Sequence, residues 1–180
     1  NRANPETGRL KPTAQKSVAA LPGAGPRHVR FHPTHRWMYA INELTGSITR
    51  YDFDSRSGAL TRRETISTLP QDFAGKNGCA DLAITPDGRF LYGTNRGHDS
   101  VAGYRIGEGG VLELIAITPS GGKSPQNLEI TPDGQMLLVA NMSGSNIALF
   151  RIDGATGTLS KTVSRYAIAH PACIIAAMPR

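Results

Sequence analysis

The run Leu82-Ala83-Ile84-Thr85-Pro86-Asp87-Gly88 returns as Leu128-Glu129-Ile130-Thr131-Pro132-Asp133-Gly134. A third version, Val29-Arg30-Phe31-His32-Pro33, keeps the apolar pattern and the proline. The three prolines lie 53 and 46 residues apart, and other landmarks keep step with them. Nine residues after each proline stands Asn42, Asn95 or Asn141, and nine further on stands Tyr51, Tyr104 or Phe150. Eight or nine beyond that, past a Gly-containing turn, comes Leu60, Leu112 or Leu159. Leu10, in Glu6-Thr7-Gly8-Arg9-Leu10, matches the last of these. Self-similarity at a period of about 50 residues marks a repeat architecture and decides the fold before any single segment does.

Each unit reads as strands joined by tight turns. In Pro86-Asp87-Gly88 and Pro132-Asp133-Gly134, Pro presets φ, Asp bonds the backbone ahead of it and Gly takes positive φ. Short β-rich runs follow at 89–93 and 136–140, then at 100–106 and 146–152. Ser100-Val101-Ala102-Gly103-Tyr104-Arg105-Ile106 alternates as a strand with one buried face, and no segment holds a helical period. Four short strands per unit, repeated, describe the blades of an all-β propeller. The frame predicts complete blades at about 23–70, 74–119 and 121–168. Residues 1–20 are expected to be the outer strand of a preceding blade, and residues 171–178 one further inner strand. Propellers close with roughly four to eight blades. Three blades and two flanking strands therefore form an open arc with unpaired edges. The partner this implies is an N-terminal half that completes the same disc.

Composition agrees. Gly and Pro make 32 of 180 residues, which suits many turns and weighs against a helical bundle. Charged residues, at 19%, are too few for a disordered tail or a coiled coil. Cys79 and Cys173 have no spacing that indicates a zinc site or a disulfide framework. The longest apolar run, 172–178, is far short of the ~20 residues that span a bilayer, so no membrane role is expected. The net charge of +6 is uneven: residues 1–63 hold 11 Lys/Arg against 4 Asp/Glu, and the remainder 9 against 10. These basic residues are dispersed, with no run longer than Arg62-Arg63 and no interleaved aromatics, which speaks against nucleic acid. A small anionic substrate or a solvated surface fits better.

A four-stranded meander brings the start of its first strand and the end of its second to one face of the disc, near the central channel. There the sequence places Arg27-His28 and Asn42-Glu43 in the first unit, Asp81 and Asn95-Arg96 in the second, and Gln126-Asn127 and Asn141 in the third. His28, Asp81 and Asn127 each stand five residues before their proline, on the innermost strand. Burying such groups is costly unless they are paired or face a wet channel. Together they read as a site with two Arg for an anion and His28, Glu43 and Asp81 for proton transfer. Asn42, Asn95 and Asn141 recur in every unit and suit a structural role; Arg27, His28, Glu43 and Arg96 differ between units, so architecture does not demand them. Asp81 fits either account. The His32/His35 pair flanks a turn and makes a poor metal site. Residues 107–110 read as a hairpin turn, no phosphate-cradling glycine loop occurs, and Cys79 reads as a small packed residue.

At Gly25-Pro26-Arg27-His28, Phe31-His32-Pro33 and Tyr39-Ala40-Ile41-Asn42-Glu43-Leu44 the chain resembles the bacterial propeller-type 6-phosphogluconolactonase family. The resemblance continues through Ala80-Asp81-Leu82, Ile84-Thr85-Pro86-Asp87-Gly88-Arg89, Leu91-Tyr92 and Asn95-Arg96. It implies a seven-bladed disc of ~350 residues by repeat arithmetic, of which this chain is the C-terminal half. It also implies that 171–178 pairs with the N-terminal segment to close the ring. The implied activity is ring-opening hydrolysis of a phosphorylated sugar δ-lactone in the cytoplasmic pentose phosphate pathway, with no cofactor. Arg27, Arg96, Gln126 and Asn127 would bind substrate, His28 or Glu43 would act as base on water, and Asp81 would orient its partner. Family members often carry Arg where this chain has Gln126, and a neutral amide there weakens anion binding. Two other readings stay open. Carboxymuconate-type lactonising enzymes share a related fold, and Leu91-Tyr92-Gly93-Thr94-Asn95 resembles the repeat of non-catalytic propeller scaffolds.

Overall fold

The computed structural model describes residues 2–176. Strands β1 (Arg2–Ala3) and β2 (Leu10–Lys11) form a short antiparallel pair. Then come β3 (Pro26–Phe31), β4 (Trp37–Asn42), β5 (Ser47–Asp54) and β6 (Ala59–Ser67). The second set is β7 (Gly78–Ile84), β8 (Phe90–Arg96), β9 (Ser100–Ile106) and β10 (Leu112–Pro119). The third is β11 (Pro125–Ile130), β12 (Met136–Asn141), β13 (Asn146–Ile152) and β14 (Leu159–Ala167). Each set is one antiparallel meander in chain order, so the three are blades 1, 2 and 3 of a β-propeller. The first strands pack side by side, β3 against β7 and β7 against β11, and form the inner edge of the arc. The one helical turn among the described residues, Glu108–Gly110, lies in the hairpin between β9 and β10.

The turns close as their sequence requires. Gly88 N–H donates to Thr85 O at 2.8 Å, while Asp87 Oδ1 accepts from Thr85 Oγ1 at 2.6 Å and Arg89 N–H at 3.0 Å. Thr131 to Gln135 repeats the arrangement. Gly88 holds φ at +76°, and a Cβ there would also collide with the His32 ring. Apolar side chains from strand faces fill the seams between blades. Tyr39, Ile41, Ile48, Leu82, Leu91 and Tyr104 bury one seam; Phe90, Tyr92, Leu128, Leu137, Val139 and Phe150 bury the next. Each seam is pinned by a tyrosine hydroxyl, Tyr39 to Gly110 O at 2.7 Å and Tyr92 to Gly157 O at 2.8 Å.

The flanks differ in detail from the sequence reading. Residues 1–20 were expected to supply a single outer strand; they supply the hairpin β1–β2, because Asn4 Oδ1 accepts from Glu6 and Thr7 N–H and folds the chain back. Residues 171–176 pair with no strand among the described residues; residues 177 and 178 of the expected inner strand lie outside the described residues. Val163, Tyr166 and Ile168 at the blade 3 end are exposed, as are Val29 and Phe31 on β3.

Candidate active site

The inner strand of every blade begins with an irregularity. In the β3–β4 ladder the pairing steps from Pro26↔Asn42 to His28↔Ile41, leaving Arg27 as the extra residue. Gln126 is the extra residue between Pro125↔Asn141 and Asn127↔Ala140. In blade 2 the pairing slips between Cys79 and Leu82, around Ala80 and Asp81. Bulges of this kind free a side chain from the alternation of the strand and re-aim it. The candidate residues stand at these three bulges and at the ends of β4 and β8.

They assemble into two hydrogen-bonded chains, each crossing the blades. In the first, His28 Nδ1 lies 3.0 Å from Asp81 Oδ1, and Asn127 Nδ2 donates to Asp81 Oδ2 at 2.6 Å. His28, Asp81 and Asn127 occupy the same repeat position, so one register of three blades is bonded in series around the inner edge. Asp81 is 1% exposed, and a buried carboxylate is tolerated only when well supplied with donors. Leu82 N–H adds one at 2.9 Å, with Leu128 N–H and Arg30 Nη2 each at 3.5 Å. The His28 side chain keeps 44% of its surface open, so its far nitrogen is accessible while the near one is held. An ionised carboxylate only accepts, so in a neutral ring the Nδ1 that faces it carries the hydrogen and Nε2 the lone pair.

The second chain is an ion-pair array. Arg27 Nη1 donates to Glu43 Oε2 at 3.1 Å, and Arg96 Nη2 donates to Glu43 Oε1. Arg27 is tied to the next blade through Nε and Ala80 O at 3.1 Å. Arg96 is tied through Nε to Gly78 O at 3.0 Å and through Nη1 to Gln126 Oε1 at 3.1 Å. The Arg96 guanidinium, helped by that of Arg27 and opposed by burial, holds the Glu43 carboxyl below the usual carboxylate range. Two guanidiniums sharing one carboxylate leave a net charge of +1, fixed in place by backbone carbonyls. A cleft of about 410 Å³, lined by Lys76, Asn77, Gly78, Arg96, Gly97 and Ser124, opens beside Arg96. A cleft of about 420 Å³ at the opposite strand ends, near Asp87, Arg89 and Arg151, touches none of the candidate residues.

The structure brings all seven sequence-predicted residues into these two chains. Arg30 was not singled out, although it follows His28 by two on the same strand and so shares its face. Asn42 and Asn95 bond within their own blades or linkers: Asn42 Nδ2 to Ser47 and Thr49 hydroxyls, Asn95 Nδ2 to Thr68 O at 2.7 Å. Asn141 Nδ2 reaches Ser120 O at 3.1 Å. Cys79 is buried against Thr68 and Asn95, and burial pushes its thiol pKa up, away from reactivity. His32 spends Nε2 on Gly88 O and Nδ1 on Thr34, which makes it a rivet between turns.

A histidine paired with a buried carboxylate, and two arginines sharing one glutamate, stand on the inner edge of a three-blade propeller arc. The family model described as lactonase, 7-bladed beta-propeller, matches residues 1–176, and the chain belongs to that family. It is 31% identical over 163 residues to 6-phosphogluconolactonase of Bacillus subtilis, covering 90% of this chain and 47% of that protein. Among solved structures, the periplasmic gluconolactonase of Pseudomonas aeruginosa superposes with a TM-score of 0.85 at 30% identity, over 90% of this chain and 45% of that one. A putative 6-phosphogluconolactonase from Bacteroides fragilis gives 0.84 at 30%, over 95% and 48%. The chain spans about half the length of the curated relatives it matches. Among the described residues no helix is long and apolar enough to cross a membrane.

Proposed function

We propose that this chain supplies the catalytic edge of a sugar-lactone hydrolase, completed by an N-terminal half of the same propeller. The observation that carries the reading is the His28–Asp81 pair, with Nδ1 held at 3.0 Å by a buried carboxylate and the rest of the ring open. His28 Nε2 takes a proton from water as its oxygen bonds to the lactone carbonyl carbon, and the carbonyl becomes a tetrahedral oxyanion. Collapse of that oxyanion breaks the ring C–O bond, and the imidazolium returns the proton to the departing alkoxide. The product is the open hydroxy acid. Arg27 and Arg96 offer charge to the substrate anion. Glu43 is a poor base here, because protonating it sacrifices two ion pairs; it sets the arginines instead. Aldonic δ-lactones open slowly in plain water, so a single oriented base is adequate chemistry.

The substrate we infer is 6-phosphogluconolactone, which puts the reaction in the pentose phosphate pathway and the protein in the cytoplasm. The name of the Bacillus relative supports the phosphorylated substrate, and that of the Pseudomonas neighbour makes the unphosphorylated lactone its rival. Hydrolysis of freshly prepared 6-phosphogluconolactone, glucono-δ-lactone and a carboxymuconolactone should be followed in parallel, with the spontaneous rate subtracted. Turnover should be highest on the first and fall by about a hundredfold or more in a folded His28→Ala variant. Preference for the third would favour a lactonising enzyme, and no turnover on any would leave a binding scaffold.

A further inference from the structure

Asn127 was expected to touch substrate, yet both ends of its amide are engaged by protein. Nδ2 donates to Asp81 Oδ2 at 2.6 Å, and Oδ1 accepts from Ile174 N–H at 2.7 Å. A backbone N–H only donates and a carboxylate only accepts, so the amide has one permitted orientation. The contact with Ile174 also obeys the repeat. Pro171-Ala172-Cys173-Ile174 stands in the same frame as Pro125-Gln126-Asn127-Leu128, and Leu128 N–H points to Asp81 Oδ2 at 3.5 Å as Ile174 N–H points to Asn127 Oδ1. In both cases the backbone of one inner segment bonds back to the polar side chain of the preceding blade. Residues 171–176 thus sit where an inner strand would sit, although they pair with no strand among the described residues.

We propose that Asn127 is a positioning residue, and that the C-terminal segment acts through it on His28: Ile174 N–H orients Asn127, Asn127 orients Asp81, and Asp81 holds the His28 Nδ1–H tautomer. The site is then wired to the segment that follows blade 3, and His28 is set as a base only when that segment is seated. This rests on the reading of His28 as the base, but the wiring can be tested without it.

The experiment compares three variants of the protein with its N-terminal half present. Ile174→Pro deletes the single N–H in question, Ile174→Ala keeps it, and Asn127→Leu keeps the bulk while removing both amide functions. ¹⁵N chemical shifts of the His28 ring report its tautomer irrespective of any activity. The expected result is a predominantly Nδ1–H ring in the parent and in Ile174→Ala, and a mixed population in Ile174→Pro and Asn127→Leu. Lactone turnover in the latter two should fall on the order of tenfold to a hundredfold with KM within about twofold, less than the loss of a general base itself. An unchanged tautomer in both Ile174→Pro and Asn127→Leu would overturn the proposal even if the protein is a lactonase. A shifted tautomer with lactone hydrolysis absent from the parent would sustain the wiring and refute the assigned reaction. A rise in KM with unchanged kcat in Asn127→Leu would return Asn127 to substrate binding and likewise overturn it.

Discussion

Arg96 on blade 2 donates to Glu43 on blade 1, and the same carboxylate accepts from Arg27 on its own blade. The contact therefore joins two blades as well as fixing the cations of the site. Because the folded state holds the Glu43 pKa below its ordinary 4.5, the array contributes stability in full above that value. The contribution is lost as pH falls through the lowered folded value. Glu43→Gln should lower stability by about 1 kcal/mol near neutral pH, a modest figure because these side chains are partly solvated. Thermal melts of parent and variant should be separated at pH 7, keep that gap to about pH 5, and converge in stronger acid. A gap that persists at pH 2 would show that the loss comes from packing and not from charge.

Arg50 is the larger electrostatic commitment. Its side chain is 11% exposed and meets Glu64 through Nε and Nη2 at 2.6 and 3.0 Å, and Asp52 through Nη1 at 2.6 Å. The same Nη1 crosses to Gly109 O on blade 2 at 2.8 Å. Arg50→Ala strands the Glu64 carboxylate and the Gly109 carbonyl and leaves Asp52 with Arg63 alone, and should cost about 1–3 kcal/mol, below the figure for a fully buried pair because Glu64 and Asp52 retain solvent. Urea unfolding measures this directly. Arg50→Lys should recover less than half, since an ammonium cannot make the bidentate contact.

The sheets were legible because their signals are local. Turn chemistry at Thr85-Pro86-Asp87-Gly88 and the recurrence of Asn, aromatic and Leu at constant offsets do not depend on what packs against what. The three residues of the first hydrogen-bonded chain stood out for a related reason: His28, Asp81 and Asn127 each put a polar group five positions before a proline, on an innermost strand. Their wiring did not. That His28, Asp81 and Asn127 bond in series depends on how one blade leans on the next, and no offset along the chain encodes a lateral distance. The Arg50 cluster was missed for the same kind of reason. Its partner Glu64 comes opposite only because β6 carries an extra residue between Thr65↔Thr49 and Arg62↔Tyr51.

Gly93 measures how tightly blades 1 and 2 are packed. A Cβ at this position would stand 3.1 Å from Ile41 Cδ1 and 3.2 Å from Ile48 Cδ1, the tips of two fully buried side chains of the adjoining blade. Gly93→Ala asks those tips to move by a few tenths of an ångström while removing the entropic cost of glycine in a strand, and should change stability by less than about 1 kcal/mol. Gly93→Val pushes two more carbons into the same seam and should destabilise by about 1–3 kcal/mol. Equal melting temperatures for the two variants would mean that the seam yields more readily than its burial implies.

Substitution at Arg27 tests the proposed phosphate binding apart from general stability. It spends Nε on Ala80 O and Nη1 on Glu43, and its Nη2 has no protein partner among the described residues. An anion meeting that nitrogen gains a charge-assisted bond worth about 1.5–3 kcal/mol, or roughly tenfold to a hundredfold in affinity. Arg27→Ala should therefore raise KM for 6-phosphogluconolactone by at least about tenfold and leave KM for glucono-δ-lactone within about twofold. Arg27→Lys should recover part of the loss, because a point charge still attracts phosphate but cannot hold Ala80 O and Glu43 at once. If KM for the two lactones rises equally, Arg27 acts on the ring they share. If kcat falls for both at constant KM, its charge serves the oxyanion, and the phosphate must be held from the cleft beside Arg96 instead.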